Sequence, residues 1–341
     1  MVEFLNRYIS IEKESSYGTN PASAPVYGEV DDESFATRMD LLTRQDMSHA
    51  VASKSVTGTE YSEGGLNMAL QIDDFVGNVL ASFFPKTAYG SSIHTFDEPA
   101  AAADAYDSYT IVVGREQKQH VYGGMVANRL SVSANVGEYV MLSADYVGCR
   151  ESATHTAVSD TAVTFDGAAV DALYFANGSV YFHDGTDSAP AASASVKSIS
   201  FEVNLNRDTD NAYAIGNSTY TRAPPAQRRE VTGTIEFNQV LYGDQTLDEP
   251  DYTSLVTEDG LTYNIAGSNP VLKLIFQEET DGANNYLRID FFNIRFEAPT
   301  SNVSGRDTQT MTVNFVGLWD NGADKCMALS MKGGAAGSSA Y

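Results

Sequence analysis

The chain has 341 residues, of which 43% are hydrophobic, and this composition indicates folded domains rather than disorder. Its 45 acidic and 21 basic residues give a net charge of −24, which argues against a protein that binds nucleic acid by neutralising phosphates. No stretch approaches the roughly 20 apolar residues of a membrane span, and the amino terminus lacks the apolar run of a secretory signal. We therefore expect a globular protein that is made in the cytoplasm.

The N-terminal segment differs in composition from the rest of the chain. Residues 1–32 are polar, rich in Ser, Tyr, Gly and Pro, and show no sustained periodicity. This composition predicts an extended arm that docks on neighbouring molecules. A first block of strands is expected at residues 33–149.

Residues 64–85, GGLNMALQIDDFVGNVLASFFP, change period halfway along. The first half alternates as a half-buried strand does, at Leu66, Met68, Leu70 and Ile72. The second half repeats every three or four residues, as on a helix, at Ile72, Phe75, Val76, Val79, Leu80 and Phe83. Asp73 or Asp74 is a suitable helix cap, and Pro85 ends the helix. The stretch predicts a strand that leads directly into one short amphipathic helix.

Strand patterns continue through the middle of the chain. Residues 128–148 alternate on either side of a turn at residues 135–137, which predicts a long β-hairpin. Residues 150–195 are rich in Ser, Thr, Ala and Asp around short aromatic runs, and they predict inserted strands and a loop. The clean alternation of KSISFEVNL, residues 197–205, predicts a strand with one buried and one hydrated face.

A second block, residues 196–318, resembles the first block. The matched positions are Gly65 with Gly233, Tyr146 with Phe315, and the turn at Asn135 with the turn at Asn302. The segment EPDYTSLVTEDG, residues 249–260, supplies a second short helix. These matches predict a tandem duplication followed by a tail at residues 319–341, although Gly-bounded strands also produce chance self-similarity.

The fold class follows from these patterns. We expect a mainly β fold of two β-sandwich or barrel modules, each with one short flanking α-helix and a long β-hairpin. Cys149 and Cys326 do not make a disulfide framework for a chain of this size, and both are expected to be free.

Motifs that carry catalysis or bind cofactors are absent from the sequence. It contains no Walker-type loop, no GxGxxG and no HExxH. The five histidines lie far apart and none has a metal-ligand spacing, which argues against zinc. Residues 206–213, NRDTDNAY, alternate oxygen ligands but lack the Gly and the terminal Glu of an EF-hand. We expect no enzyme activity, no cofactor and no bound metal.

One basic cluster stands out in this acidic chain. The segment RAPPAQRRE, residues 222–230, places Arg222, Arg228 and Arg229 around two prolines just before a strand. The loop is either simply solvated or a partner for the acidic surface of another copy of the chain.

Several segments together resemble the tail tube proteins of long-tailed phages and related archaeal viruses. The resemblance rests on FLNRYISIEKESSYGT, VYGEVDDESF, GGLNMALQIDDFVGNVLASFF, and SVKSISFEVNLNRDTDNAYAIGN leading to RREVTGTIEFNQVL. It covers most of residues 1–318 and is weakest at residues 150–180. The acidic bias would suit a virus of a salt-loving host.

The resemblance implies a virion component whose copies form rings that stack into a hollow tube for viral DNA. Family members with two fused units form three-membered rings, so the duplication favours a trimer here, with a hexamer as the alternative. The implied partners are other copies of the chain and the tape measure, tail terminator and distal tail proteins. DNA would pass through without specific binding, and no membrane contact is implied.

Candidate residues follow from this interpretation. DNA must not adhere to the channel, so carboxylates and hydroxyls are expected to face it. The candidates for the channel, each of which also suits the outer surface, are Asp145, Glu202, Glu230, Glu236 and Asp290. The candidates for contacts between subunits or rings, from the arm, the hairpins and the basic loop, are Arg7, Tyr8, Tyr17, Tyr27, Asn135, Gly137, Arg222, Arg228, Arg229, Asn302 and Arg306.

Two other functions remain as alternatives. A cell-surface or carbohydrate-binding β-sandwich module would need a secretion route and a ligand cleft. A β-sandwich hydrolase would need paired carboxylates, but neighbours such as Asp73 and Asp74 point to different faces, and the single tryptophan, Trp319, offers little surface for stacking sugars.

Overall fold

The computed structural model confirms the mainly β fold. It describes residues 7–19, 25–90, 93–98, 106–152, 171–183, 192–240, 250, 252–257, 262–264, 270–278, 285–302 and 309–333. These residues contain two α-helices, α1 (Asp74–Phe83) and α2 (Tyr252–Thr257), and two sheets. Both cysteines are free, as expected.

The strands of the described residues are, in chain order, β1 Arg7–Lys13, β2 Val26–Gly28, β3 Asp32–Glu33, β4 Ala36–Arg44, β5 Lys54–Ala69, β6 Lys86–Gly90, β7 Ile93–Asp97, β8 Tyr109–Arg115, β9 Lys118–Asn135, β10 Met141–Gly148, β11 Gly178–Phe182, β12 Val196–Asn204, β13 Glu230–Phe237, β14 Thr262–Asn264, β15 Leu272–Gln277, β16 Tyr286–Phe291, β17 Asn293–Phe296, β18 Thr300–Asn302, β19 Thr310–Gly317 and β20 Met327–Lys332.

The larger sheet, here called the main sheet, runs without interruption through both halves of the chain. Its order is β14-β17-β19-β13-β12-β9-β10-β5-β3, and every pair along it is antiparallel. The long strand β9 also pairs with β8, which continues to β1 and β2. The β9–β12 pair joins the two halves into one surface.

The smaller sheet has the order β11-β15-β16-β20-β7-β6 and packs against the second half of the main sheet. Phe201 of the main sheet meets Phe291 of the smaller sheet edge to face, with ring centroids 5.4 Å apart. Strand β20 lies inside this sheet, between β16 and β7, and its Met327, Leu329 and Met331 are buried. The segment expected as a tail therefore contains a core strand.

Helix α1 covers the first half of the main sheet and forms as the sequence predicted. Asp73 caps it, since its Oδ1 accepts a hydrogen bond from the backbone N–H of Val76 at 2.7 Å. The ring of Phe83 packs 5.9 Å from that of Tyr146 on β10. Helix α2 begins and ends within the segment predicted for the second short helix.

The strand pairing repeats between the halves. Gly64 of β5 lies opposite Tyr146 of β10, and Gly233 of β13 lies opposite Phe315 of β19. The sequence alignment of Gly65 with Gly233 was wrong by one residue. A shift of one residue exchanges the two faces of a strand. In the corrected alignment, Gly64 corresponds to Gly233 and Leu66 to Ile235, and both Leu66 and Ile235 are buried.

The described part of the N-terminal arm pairs with strands of its own chain, and its docking on neighbouring copies stays a prediction. Strand β1 pairs with β8 over its whole length and with β2 on its other side. Residues 8–11 are all buried, Ser10 included, although Ile9 and Ile11 alternate with Ser10 and Glu12 in the sequence.

The hairpin of β4 and β5 extends beyond the rest of the main sheet and was not anticipated as a distinct feature. Strand β10 pairs with β5 only from Ser62 onwards, so residues 54–61 pair with β4 alone within the main sheet. Large apolar side chains are exposed along this hairpin: Met39, Leu41, Leu42, Met47, Val51 and Val56.

Candidate functional site: the polar face of the main sheet

Alternation divides the main sheet into an apolar face and a polar face. In β12, Ile199, Phe201 and Val203 are buried in the core, whereas Ser200 and Glu202 point to the opposite side. The same alternation holds for the neighbouring strands β10, β13 and β19.

The register of the strands places the polar residues of different strands side by side. Ser143 lies opposite Ser131, Ser131 opposite Glu202, and Glu202 opposite Thr232. Directly opposed residues share one face of a sheet. Hydroxyl and amide side chains on this face are Asn67, Ser131, Ser133, Ser143, Ser198, Ser200, Asn204, Thr232, Thr234, Thr312 and Asn314.

A charged cluster occupies the junction of the two halves on this face. Arg129 Nη2 lies 2.6 Å from Glu202 Oε2, and Arg129 is directly opposite Asp145. The pKa of Asp145 is raised above its usual value, chiefly by burial. Arg129 offsets part of this shift and Glu202 adds to it. A Cβ at Gly65 would collide with the Asp145 carboxylate, so the glycine leaves room for that side chain.

The polar face is concave around β12, β13 and β19. A depression of about 460 Å³ is lined by Ser131, Ser200, Glu202, Thr232 and Asn314, among others. Within the described residues, no group of three or more His, Cys, Asp or Glu side chains is arranged to hold a metal ion. The arrangement offers a hydrated surface of hydroxyls and carboxylates rather than a reaction centre.

Four of the five acidic candidates lie on this face. Asp145, Glu202, Glu230 and Glu236 are brought together by the register of β10, β12 and β13. Asp290 does not join them. It lies on β16 of the smaller sheet, is buried, and pairs with Arg288 at 2.7 Å.

The contact candidates fall into exposed and buried groups. Arg222 and Arg228 are exposed, and Asn135 and Gly137 lie exposed at the tip of the β9–β10 hairpin. Arg7 is also exposed and forms an ion pair with Glu116.

Two contact candidates are corrected because they are engaged within their own chain: Tyr8 is buried, and the side chain of Arg229 is largely buried. Tyr8 packs edge to face against Tyr27, with ring centroids 5.4 Å apart. Arg229 forms an ion pair with Glu98 at 2.8 Å, with side chains 17% and 3% exposed.

The remaining contact candidates are less accessible or lie outside the description. Tyr17 and Tyr27 are partly buried. Asn302 ends strand β18, and Arg306 lies outside the described residues.

The sequence comparison decides the family. A model of the phage tail tube protein family matches residues 5–316, which is nearly the whole chain. The chain belongs to the phage tail tube protein family. A comparison with curated proteins found no match.

Membership of the phage tail tube protein family fixes the broad role of the protein. It is a structural component of the virion tail, and the family is not an enzyme family. Tail tube proteins assemble with copies of themselves and act together with other tail proteins. Among the described helices, neither has the length and apolarity needed to cross a membrane.

Proposed function

We propose that copies of this tail tube protein form rings with the polar face of the main sheet turned towards a central channel, and that the stacked rings conduct viral DNA. The observation that carries the proposal is the continuity of the polar face across both halves of the chain. A surface that spans the join between two modules is suited to line one uninterrupted wall.

The chemistry of the polar face suits the passage of DNA. Its hydroxyls and amides carry no charge, and Asp145, Glu202, Glu230 and Glu236 are negative when ionised. Arg129 is held by Glu202, so its charge is locally compensated. A wall of this kind repels phosphates, and among the described residues the cations beside its carboxylates, Arg129 and Lys197, are paired with Glu202 and Glu236.

The repeated strand pairing supports a duplicated subunit and a three-membered ring. The two units would be residues 33–149 and 196–318, joined by inserted strands at residues 150–195. Since each chain would supply two units, three chains give a ring with pseudo-sixfold symmetry. Assembly of three chains costs less translational and rotational entropy than assembly of six single units, because fewer separate molecules are brought together.

The β4–β5 hairpin supports contacts with other copies. Leu42 lies opposite Val56, and both side chains are exposed. An isolated two-stranded hairpin is marginally stable in water, and exposed apolar side chains on it mark a surface that another protein covers. A neighbouring subunit of the tube is the proposed partner.

The charge of the channel is tested by reversing it in virions. Particles that carry Glu202→Lys with Ser133→Lys should adsorb normally but release DNA more slowly, because DNA is retained on the new cations. Raised ionic strength should shorten the delay, since salt screens the attraction. Released DNA is measured by its sensitivity to nuclease over time.

The matched control is Glu116→Lys, which reverses an exposed charge at the β8–β9 turn. The control should release DNA at the rate of the unaltered virion. Equal rates in the double variant, the control and the unaltered virion would contradict the proposed position of the polar face.

A further inference from the structure

The two ends of the main sheet, measured along its strands, present different chemistry. At one end Asn204 of β12 lies opposite Arg129 of β9, and towards the other end Ser198 lies opposite Asn135. Six residues of extended chain separate these pairs, or about 20 Å. The first is here called the arginine end, and the second the tip end.

The tip end carries a groove of about 590 Å³, here called the aromatic groove. Its lining includes Tyr139, Tyr174 and Phe175, all with exposed rings. Tyr174 and Phe175 meet edge to face, with centroids 5.8 Å apart. Exposed aromatic rings of this number in one groove are typical of a surface that binds another protein.

The aromatic groove is also acidic. Glu138, Asp171 and Glu278 line it, and no Lys or Arg is among the described residues of its lining. The groove thus combines negative side chains with aromatic rings, and this combination is suited to a guanidinium group, which pairs with carboxylates and stacks on rings.

The groove is held rigid by backbone pairing. Val140 donates its N–H to the carbonyl of Leu173 at 2.9 Å, and Phe175 donates its N–H to the carbonyl of Glu138 at 3.0 Å. A preformed groove loses little conformational entropy when it binds.

The arginine end carries a loop of net positive charge, residues 205–229, here called the arginine loop, in which four arginines outnumber Asp208 and Asp210. Arg222 and Arg228 are exposed on it. Arg207 anchors the loop to the sheet: its Nε donates to the carbonyl of Ala127 at 2.8 Å and its Nη1 to that of Pro224 at 3.0 Å. Both Arg222 and Arg228 are exposed, and the guanidinium of Arg222 is held on the loop because its Nε and Nη2 donate to the carbonyl of Asn211 at 3.0 and 2.9 Å.

We infer that the aromatic groove of one copy binds the arginine loop of a second copy, in the next ring of the stack. This inference rests on the proposed function. Because the groove and the loop lie at opposite ends of the same strands, the contact is head to tail. A stack of rings therefore keeps unoccupied grooves at one end and unoccupied loops at the other. A contact of this type adds copies in one direction rather than closing a dimer.

The inference is tested by exchanging the charges in two purified variants. The first carries Arg222→Glu and Arg228→Glu, and the second carries Glu138→Lys and Asp171→Lys. Each variant alone brings like charges together and should remain as single rings in negative-stain microscopy. An equimolar mixture restores opposite charges at every contact and should form tubes, with rings of the two variants alternating.

The control is Lys118→Glu, an exposed charge at the β8–β9 turn, which should form tubes as the unaltered protein does. Particles of either charge variant alone should be single rings, at least about tenfold shorter than the tubes of the mixture. Tubes of full length from each variant alone, or a mixture that stays as single rings, would overturn the inference and leave the proposed function intact. Failure of the unaltered protein to form rings or tubes would instead overturn the proposed function.

Discussion

Arg129 of β9 and Glu202 of β12 form an ion pair of 2.6 Å across the strand junction that joins the two halves of the chain. The pair lies on the polar face, next to Asp145. It places a cation on the proposed channel wall beside two carboxyl groups, which outnumber it at this position.

Arg129→Gln should lower the free energy of unfolding by less than about 1 kcal/mol, because both side chains of the pair are partly exposed and solvent screens their attraction. Chemical denaturation measures the change. Arg38→Gln removes a comparably exposed pair with Glu63 and serves as the control. A much larger loss for Arg129→Gln than for the control would show that the junction depends on this pair for stability.

The neighbouring arginines Arg228 and Arg229 should differ sharply in their effect on stability. Arg229→Ala leaves the buried carboxylate of Glu98 without its ion pair, and loss of one partner of a buried pair costs about 3 to 5 kcal/mol. Arg228→Ala changes an exposed residue and should stay within about 0.5 kcal/mol of the unaltered protein. Similar losses in the two unfolding curves would contradict the placement of Arg229.

Gly233 of β13 lies between β12 and β19, directly opposite Phe201 and Phe315. A Cβ there would overlap the Phe315 ring and lie 2.8 Å from the carbonyl oxygen of Ser200. Gly233→Ala should therefore cost about 1 to 3 kcal/mol through overpacking. Thr232→Ala on the exposed face of the same strand is the control, with a loss below about 1 kcal/mol. An unfolding midpoint of Gly233→Ala equal to that of the control would rule out the close packing.

Glu12 on β1 should make stability depend on pH. Burial raises its pKa from 4.5 to about 7, so the folded chain binds more protons than the unfolded chain between these values. The stabilising contribution of the protonated group is fully present below the unfolded pKa and is lost as the pH rises through about 7. Glu12→Gln should therefore gain stability relative to the unaltered protein at about pH 8 but not at the acidic end of this window.

Denaturation curves of both proteins across this pH range provide the measurement for Glu12. The difference in their free energies of unfolding isolates the one carboxyl from the other acidic groups of the chain. A difference that is constant with pH would mean that Glu12 titrates normally in the folded chain.

Local signals were enough to predict α1 and β12. Asp73, the apolar spacing and Pro85 define the helix, and β12 has one buried and one hydrated face. Strand β1 was not recognised because its alternation, Ile9 and Ile11 against Ser10 and Glu12, is confined to four residues. Asp290 was misplaced because it alternates with Ile289 and Phe291 as a residue of a hydrated face does, whereas the smaller sheet buries it next to Arg288.

The polar face was predicted only in part, because the sequence gives the phase of each strand but not which strands are neighbours. Four acidic candidates share the face through the register of β10, β12 and β13, and that register depends on tertiary packing. The exposed apolar side chains of the β4–β5 hairpin were not recognised as a surface from the sequence. Among the described residues no second layer covers the hairpin, and the sequence pattern alone does not show this.

The channel wall itself is observed most directly in a cryo-microscopy map of the assembled tube. The account predicts that Ser131, Glu202 and Thr232 face the channel and that α1 lies on the outer side of the main sheet. A channel lined by the smaller sheet, or by lysine and arginine side chains, would contradict it.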